Sequence, residues 1–306
     1  MLAIDIGGTK LAAALVDGDG RVHGERRTPT NAHTASAEEL FATLVRLTDD
    51  VLGGQPVAGV GAGCGGPMQW PAGRVSPLNI PAWRDFPLRD RLAELYSGLP
   101  VRLHNDAVCV AAGEHWRGAG QGSRNLLGMV ISTGVGGGLV LDGRLVDGQS
   151  GNAGHIGHVV VEPDGPACSC GGRGCLEAVA RGPAVVRWAR DQGWNGTPDA
   201  GGPELVTDAR AGDPVATMAL ERAGRAAGIA IASAAALCDL EVVSIGGGLS
   251  AAGPLLMAPL EQAVRRHARL DFARGVRVVP AELGQAAGLV GAAALVLAAD
   301  RYWSAD

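Results

Sequence analysis

A histidine followed by three closely spaced cysteines is the most specific chemical pattern in the sequence. His158 stands ten residues before Cys168, and Cys170 and Cys175 follow among glycines that let the backbone wrap around an ion. Three thiolates and one imidazole make up the four ligands of a closed tetrahedral zinc site. Redox-active cysteines are the competing interpretation. Because four ligands fill the shell, His155 and His158 are not both needed, and one of them is left for a substrate.

Three glycine-rich turns follow predicted strands and offer groups suited to phosphate and magnesium: Gly7 to Lys10, Ser132 to Gly138 and Gly246 to Gly248. The first turn combines open backbone N–H groups with a hydroxyl and a cation, but it lacks the Walker A spacing. One such turn is most simply a hairpin turn, whereas three can surround a nucleoside triphosphate. The residues that we expect to bind the nucleotide are Asp5, Gly7, Gly8, Thr9, Lys10, Thr133, Gly134, Gly136, Gly137 and Gly247.

Asn105 and Asp106 stand between a predicted strand, Val101 to His104, and a predicted helix, Val108 to Trp116. This position is typical of a helix N-cap. It also suits a general base that takes the proton of a substrate hydroxyl during phosphoryl transfer, with Asn105 bonded to the same substrate. Both interpretations of Asp106 are consistent with the spacing alone.

Glu177 is a further candidate because it lies two residues after Cys175, so a bound metal would fix its backbone. A carboxylate at the start of a helix is an equally good interpretation. Five other histidines have no partner pattern and receive no role: His23, His33, His104, His115 and His267.

A strand-turn-strand-turn-strand unit occurs twice, from Leu2 to Thr28 and again from Leu126 to Val146. The repeat predicts an α/β fold of two similar lobes, each a β-meander sheet flanked by helices, with a ligand between their first turns. We expect an N-terminal lobe over residues 1–115, completed by a C-terminal helix in 286–306. The C-terminal lobe would cover residues 116–285 and carry the zinc-binding loop 155–177.

Composition narrows the class of protein. The chain has 306 residues and a net charge of −5, which gives no electrostatic footprint for nucleic acid. The amino terminus does not have the pattern of a secretory signal, and the uncharged run Leu283 to Ala299 is short for a membrane span and rich in Ala and Gly. We therefore expect a cytoplasmic protein, in which Cys64, Cys109 and Cys238 are small buried hydrophobic residues.

Taken together, the motifs resemble those of the ROK-family sugar kinases, which belong to the actin-like ATPase superfamily. The resemblance covers essentially the whole chain through Leu2 to Val16, Asn105-Asp106-Ala107, Ser132 to Gly138, Gly154 to Glu177 and Val242 to Gly248. It implies a two-lobed, ribonuclease H-like fold that closes over ATP with Mg²⁺ and a hexose. It also implies that Asp106 is the base for transfer of the γ-phosphoryl group to the sugar 6-hydroxyl.

The same resemblance implies sugar contacts from Asn105, Asp106, His158 and Glu177, with His158 bridging zinc and sugar. Less specific matches add Gly66, in Gly65-Gly66-Pro67, and Asn79, in Ser76 to Asn79.

His155 stands where glucokinases of the family usually have a glutamate that accepts from sugar hydroxyls. The pattern Ala-Gly-His-Ile-Gly-His is similar to bacterial N-acetylmannosamine kinases. An imidazole can donate to an amide carbonyl, which a carboxylate cannot, so His155 favours a 2-acetamido sugar. Glucokinase and N-acetylglucosamine kinase are the alternatives.

The family also contains repressors with an amino-terminal helix-turn-helix module. Here the Asp5 turn begins at the start of the chain and leaves no room for that module, so a sugar sensor without a DNA-binding domain is the non-enzymatic alternative. We expect a small-molecule hexose or N-acetylhexosamine as partner, no nucleic acid, no membrane, and assembly as a homodimer or homotetramer.

Overall fold

A computed structural model describes residues 1–304, which form two compact units. The first unit comprises residues 1–124, residues 138–154 and the segment from Glu282 onward. The second unit comprises residues 125–137 and 155–281. Residues 305 and 306, the end of the range 286–306 expected to complete the N-terminal lobe, lie outside the described residues.

The strands of the described chain are β1 (Leu2–Ile6), β2 (Lys10–Val16), β3 (Val22–Pro29), β4 (Val60–Cys64), β5 (Met68–Gln69), β6 (Arg74–Val75), β7 (Val101–Asn105), β8 (Leu126–Ile131), β9 (Val135–Leu141), β10 (Arg144–Leu145), β11 (Val242–Gly246) and β12 (Arg277–Pro280). Its helices are α1 (Ala37–Leu52), α2 (Leu88–Leu95), α3 (Asp106–Arg117), α4 (Leu176–Ala180), α5 (Gly182–Asp191), α6 (Gly202–Arg210), α7 (Pro214–Cys238), α8 (Pro254–His267), α9 (Ala287–Leu297) and α10 (Ala299–Tyr302).

Two five-stranded sheets repeat one topology. The first has the order β3-β2-β1-β4-β7, in which the β1–β2 and β2–β3 pairs are antiparallel and the β1–β4 and β4–β7 pairs are parallel. The second has the order β10-β9-β8-β11-β12, with an antiparallel β9–β10 pair and parallel β8–β11 and β11–β12 pairs. The predicted α/β class with two meander-bearing sheets is confirmed, and each meander continues into two parallel strands.

Helix α1 shows how local sequence sets an element of the first unit. Ser36 is its N-cap, and the Ser36 amide donates to the Glu39 carboxylate at 2.7 Å while the Glu39 amide donates back to the Ser36 hydroxyl at 3.3 Å. This capping box satisfies two amides of the first turn. Leu40 and Leu44 lie one turn apart on the buried face, so α1 packs its apolar stripe onto the sheet.

Helix α9 is buried on nearly all sides and packs against α3, β1 and β4 of the first unit. Its backbone approaches α3 so closely that a Cβ on Gly291 would lie 1.6 Å from the carbonyl oxygen of Cys109. A Cβ on Gly113 would lie 2.5 Å from the carbonyl oxygen of Ala287. The apolar run that the sequence predicts as a packed helix is therefore a core helix. Among the described residues, no helix combines the length and the apolar character needed to cross a bilayer.

One turn prediction is wrong in extent. The run Ser132 to Gly138 reads as a single glycine turn, but β9 begins at Val135, so Gly136 and Gly137 are strand residues. The glycine at position 138 has a packing reason, because its Cβ would lie 2.8 Å from the Cα of Val108 in α3. Only Ser132, Thr133 and Gly134 remain as the turn.

Candidate active site

Asn105 ends β7 and caps helix α3 of the first unit. Its backbone is extended, with φ −61° and ψ 143°, and its Oδ1 accepts a hydrogen bond from the Ala107 amide at 3.0 Å. A capping oxygen of this kind satisfies an amide that the first helical turn leaves unpaired. Asp106 is the first residue of the helix, and its Oδ1 lies 2.8 Å from the same amide. The N-cap position therefore belongs to Asn105, and Asp106 stands at the start of α3.

The loop Gly65 to Pro67 lies beside Asp106, and Asn79 of the loop Ser76 to Asn79 lies between it and the first glycine turn. A Cβ on Gly65 would lie 3.5 Å from Asn79 Oδ1 and 3.8 Å from Asp106 Oδ2. A Cβ on Gly8 would lie 2.6 Å from Asn79 Nδ2, so the Asn79 amide fills the space that a side chain at position 8 would need. Gly66 holds the loop through its carbonyl, which accepts from the Leu78 amide at 3.3 Å. Within the first unit, the structure therefore brings Asn79 next to both Asp106 and the first turn.

Asp5 and Asp106 are electrostatically coupled. Burial of the carboxyl group is the main cause that raises the pKa of Asp5 to about 6; the negative charge of Asp106 acts in the same direction, and Lys10 opposes it. Helix α9 closes over Asp5, since a Cβ on Gly288 would lie 3.0 Å from Asp5 Oδ2. Two coupled carboxylates favour a cation between or beside them, because a positive charge stabilises both ionised forms. Oxygen ligands of this type suit Mg²⁺.

Lys10 begins β2 directly after the first turn, and it is the single lysine among the 26 basic residues of the chain. The other 25 are arginines. A lysine ammonium is a compact point charge, whereas a guanidinium is a planar fork, so the two are not interchangeable at a phosphate. The one lysine of the sequence therefore stands at the first glycine turn, and every other basic residue is an arginine.

The second unit places its own glycine turn against Glu177. The amide of Val135 donates to Glu177 Oε2 at 3.1 Å, and a Cβ on Gly134 would lie 3.2 Å from the same oxygen. The turn closes on itself through a 2.8 Å bond from the Ser132 amide to the Gly134 carbonyl. Ser132 also accepts from the Gly182 amide at 2.7 Å, which joins the turn to the start of α5.

Beside this turn the second unit holds a cavity of about 930 Å³. Its apolar walls come from α5, α6 and the segment after β11, and arginines stand around it. Arg190 fixes one wall, because its guanidinium donates to the carbonyls of Thr197, Pro198 and Ala200 at 3.0, 2.8 and 2.9 Å. Sequence motifs predicted Thr133 in this region but missed most of the lining, which includes Ser132, Gly182, Pro183, Val186, Arg187, Gly202, Pro203, Val206, Arg210, Gly248 and Leu249.

Gly247, in the same unit, has a backbone conformation that requires glycine. Its φ is 93°, in the left-handed region that favours glycine, and a Cβ there would lie 2.4 Å from the Ile131 carbonyl oxygen. By contrast, Gly7, Gly8 and Gly134 do not have a positive φ. A left-handed turn conformation therefore does not explain why glycine occupies these positions.

Four predicted metal ligands come together in the second unit. The ligand atoms of His158, Cys168, Cys170 and Cys175 all lie within 4.8 Å of one another, an arrangement that could hold a metal ion. Cys170 Sγ and Cys175 Sγ are 3.8 Å apart, and His158 Nδ1 is 3.8 Å from Cys168 Sγ. Burial and the neighbouring thiols raise the pKa of Cys175 to about 12, because a thiolate is disfavoured beside two other sulfurs; a bound cation would offset that cost. The His155 ring stacks on that of His158 at 6.3 Å between centroids.

The burial of the other three cysteines, and the partners of two other histidines, show how these side chains are accommodated. Cys64 and Cys109 are fully buried, as predicted, whereas Cys238 is only partly buried. His104 and His115, to which the sequence assigns no role, both have hydrogen-bonding partners that are distant in sequence.

Comparisons with known proteins agree with this geometry. The model of the ROK family matches residues 1–299. The glucokinase of Thermotoga maritima is 36% identical over 97% of this chain and 96% of its own length. The N-acetylmannosamine kinase of Yersinia pseudotuberculosis is 35% identical over 95% of this chain and 96% of its own. A ROK glucokinase from Streptomyces griseus, solved with glucose and AMPPNP, superposes with a TM-score of 0.83 at 35% identity, covering 96% and 98% of the two chains.

The two-sheet α/β architecture is accordingly the actin-like ATPase fold. The chain belongs to the ROK family. Relatives of two specificities match it almost equally well, so overall identity does not separate the glucose enzymes from the N-acetylmannosamine enzymes.

Proposed function

We propose that this protein is an ATP-dependent sugar kinase that transfers the γ-phosphoryl group to the 6-hydroxyl of a hexose. One observation carries the proposal: in a chain of the ROK family, the Asp106 carboxylate and the Asn79 amide meet at Gly65, and the same Asn79 amide packs on the first glycine turn at Gly8. A carboxylate beside amide donors can accept the proton of a bound hydroxyl while the hydroxyl oxygen attacks phosphorus.

The role of base suits Asp106 because the capping of α3 rests on its neighbour. The Ala107 amide donates to both Asn105 Oδ1 and Asp106 Oδ1, so the start of α3 keeps its N-cap side chain when Asp106 is replaced. Asp106 Oδ2 faces Gly65, whose missing side chain leaves room for a sugar hydroxyl. Asn105, Asn79 and the Gly66 loop then bind the sugar, and His155, His158 and Glu177 of the second unit are its other proposed ligands.

ATP is the proposed phosphoryl donor, and the Streptomyces griseus glucokinase with AMPPNP supports that choice. The cavity of about 930 Å³ in the second unit has the apolar walls that a nucleobase needs. The glycine turns would receive the phosphates, and Lys10 supplies the one lysine ammonium that the sequence has for them. Mg²⁺ would be held near Asp5, where it neutralises charge developing on the phosphates.

The proposed sugar is N-acetylmannosamine, and the support is His155. An imidazole in place of a carboxylate can donate to an acetamido carbonyl, and buried polar groups reject a sugar that leaves them unpaired. Glucose is the second candidate, favoured by the 36% identity to the Thermotoga maritima glucokinase.

A structural zinc ion is proposed at the Cys3His cluster. In a tetrahedron with metal–sulfur bonds of about 2.3 Å, two sulfurs stand ~3.8 Å apart. The Cys170–Cys175 separation of 3.8 Å fits this edge. His158 presents Nδ1 to the cluster, so its Nε2 is available to bind sugar, and zinc would fix the loop on which the ring stands.

The test is ADP release with ATP and a panel of sugars: N-acetylmannosamine, N-acetylglucosamine, glucose, mannose and fructose. A kinase gives turnover that depends on one of these sugars and is lost in Asp106→Asn. Sugar binding without any turnover by the wild-type protein would instead identify a sugar sensor.

A further inference from the structure

A buried histidine–aspartate pair stands directly behind the proposed base. His104 is fully buried in β7, and its Nε2 lies 2.8 Å from Oδ1 of Asp147, which is also buried. We propose that His104 is a positioning residue for Asn105 and Asp106, and that Asp147 holds its ring in the required tautomer. The proposal rests on the kinase function proposed above, since that function makes Asn105 and Asp106 the reacting end of the strand.

The hydrogen bonds define the tautomer. The amide of Asn105 donates to His104 Nδ1 at 2.8 Å, so Nδ1 is an acceptor and carries no proton. The neutral ring therefore has its proton on Nε2, which donates to Asp147 Oδ1. A carboxylate bonded to one ring nitrogen fixes which role the other nitrogen can play.

Both oxygens of the Asp147 carboxylate have donors. Oδ1 accepts from His104, and Oδ2 accepts from the Ser304 hydroxyl at 2.6 Å. The Asp147 carbonyl also accepts from the Ala153 amide at 3.1 Å, which closes the loop between these two residues. A buried carboxylate with a hydrogen-bonding partner on each oxygen holds a fixed orientation, and it keeps the ring fixed in turn.

The position of Asn105 in the sheet explains why a ring is needed. β7 is the outer strand of the first sheet, with β4 as its neighbour on one side. No further strand covers the other side of β7 in the described sheet, and the His104 ring supplies the acceptor for the Asn105 amide. That amide belongs to the last peptide of β7, one residue before Asp106. Small displacements of a reacting group cost catalysis far more than they cost folding.

Paired substitutions separate the two bonds of the ring. In His104→Asn, the side-chain oxygen replaces Nδ1 as acceptor for the Asn105 amide, but the bond to Asp147 is lost. In His104→Gln, the amide nitrogen replaces Nε2 as donor to Asp147, but the acceptor for Asn105 is lost. Asp147→Asn keeps an acceptor for the ring and removes only the charge.

The matched control is His115→Gln. His115 is a buried histidine of the same unit, bonded through Nδ1 to the Tyr302 hydroxyl at 2.7 Å and through Nε2 to the Ser123 carbonyl at 2.8 Å. It lies in the last turn of α3, whereas Asp106 is the first residue of that helix. Its substitution measures the effect of losing a buried histidine that has no hydrogen bond to Asn105.

We expect His104→Gln to lower kcat with the sugar by about tenfold or more, while the KM for ATP stays unchanged. We expect His104→Asn and Asp147→Asn to keep kcat within about threefold of wild type, even though the first loses more thermal stability. Nitrogen NMR of the wild type should show His104 protonated at Nε2. Amide hydrogen exchange at Asn105 and Ala107 should accelerate in His104→Gln and not in His115→Gln.

Loss of kcat that follows the loss of melting temperature across all four variants would reduce His104 to a structural residue and overturn the proposal. A ring protonated at Nδ1 would overturn it as well. A wild-type protein with no sugar-dependent turnover would refute the kinase function instead, and the exchange and NMR measurements would still decide whether His104 fixes Asn105.

Discussion

The side-chain oxygen of Asn105 lies 3.0 Å from the amide nitrogen of Ala107, so helix α3 is capped by the residue before the proposed base. This relationship separates two roles, N-cap and general base, that the sequence alone leaves open for Asp106. The Asp106 side chain can be altered without removing the cap, which makes a mutational test of its chemistry interpretable.

Asp106→Asn should abolish most of the activity and leave the fold intact. The amide keeps the size of the side chain but cannot take the proton of the hydroxyl, so kcat should fall on the order of 10²-fold or more. The melting temperature should stay close to that of wild type because Asn105 remains the N-cap. Asn105→Ala is the matched variant, since it removes the cap and should lower the free energy of unfolding by about 1 kcal/mol. Full activity in Asp106→Asn would exclude the base.

Asp5 should make the stability of the protein depend on pH. Its pKa of about 6 in the fold lies above its ordinary value of 3.8, so between these pH values the folded protein binds more protons than the unfolded chain. Stability linked to Asp5 is therefore fully present below pH 3.8 and is lost as the pH rises through about 6.

The variant Asp5→Asn, compared with wild type by urea denaturation at pH 5 and 7.5, should gain stability relative to wild type at the higher pH. The gain is at most about 3 kcal/mol. The exposed Asp199→Asn should show no such difference, and an equal effect of pH on wild type and Asp5→Asn would contradict the assignment.

Lys10→Arg should weaken phosphate handling although it conserves charge. The planar guanidinium replaces a compact ammonium beside the glycine turn, and we expect kcat/KM for ATP to fall by about tenfold. Arg21→Lys, at an exposed position, is the charge-conserving control. Since Lys10 and the amino terminus are the only primary amines in the sequence, an amine reagent should label Lys10 and ATP should protect it. Labelling that ATP leaves unchanged would place Lys10 away from the nucleotide.

Cys170→Ser should remove the metal from the Cys3His cluster. We expect about one zinc ion per chain in the wild type, purified without added zinc, and a large loss in the variant. Sugar binding should weaken together with stability, because His158 and Glu177 depend on the same loop. Cys238→Ser, in the same unit but outside the cluster, should keep its zinc. Metal analysis by mass spectrometry decides, and an absence of zinc from the wild type would refute the site.

His155→Glu should shift the choice of sugar. The wild type should show kcat/KM for N-acetylmannosamine at least about tenfold above that for glucose. The carboxylate can only accept hydrogen bonds, so the variant should narrow or invert this ratio. If the wild-type protein prefers glucose to every acetamido sugar, the glucokinase alternative holds and His155 does not read the C2 substituent.

Local patterns predicted the two sheets and the metal cluster because their determinants are close in sequence. The short spacing of Cys168, Cys170 and Cys175 is enough to predict that they cluster, and the apolar runs are enough to predict buried strands. Gly138 was assigned to a turn because sequence gives no sign of its real constraint, the close approach of Val108 in α3. Only the folded packing of helix on strand makes that glycine necessary.

Partners far apart in sequence account for what was missed. His104 pairs with Asp147, 43 positions away, and no motif joins them. The cavity of the second unit is lined by Val186 and Val206 from separate helices, and such valines are indistinguishable from core residues until the helices are placed. Spacing predicts chemistry within a loop, whereas pockets between helices depend on tertiary structure.

The first unit is built from segments that precede and follow most of the second unit in sequence, and this sets the order in which the two units can be completed during synthesis. β1 leaves the ribosome before most of the second unit is made, and α9, which covers β1 and β4, leaves after it. The second unit has all of its residues once position 281 has emerged, whereas the first sheet must wait with an apolar face uncovered. Nascent or truncated chains that lack α9 therefore expose the strand that carries Asp5, and they are the forms most exposed to aggregation and to chaperone capture.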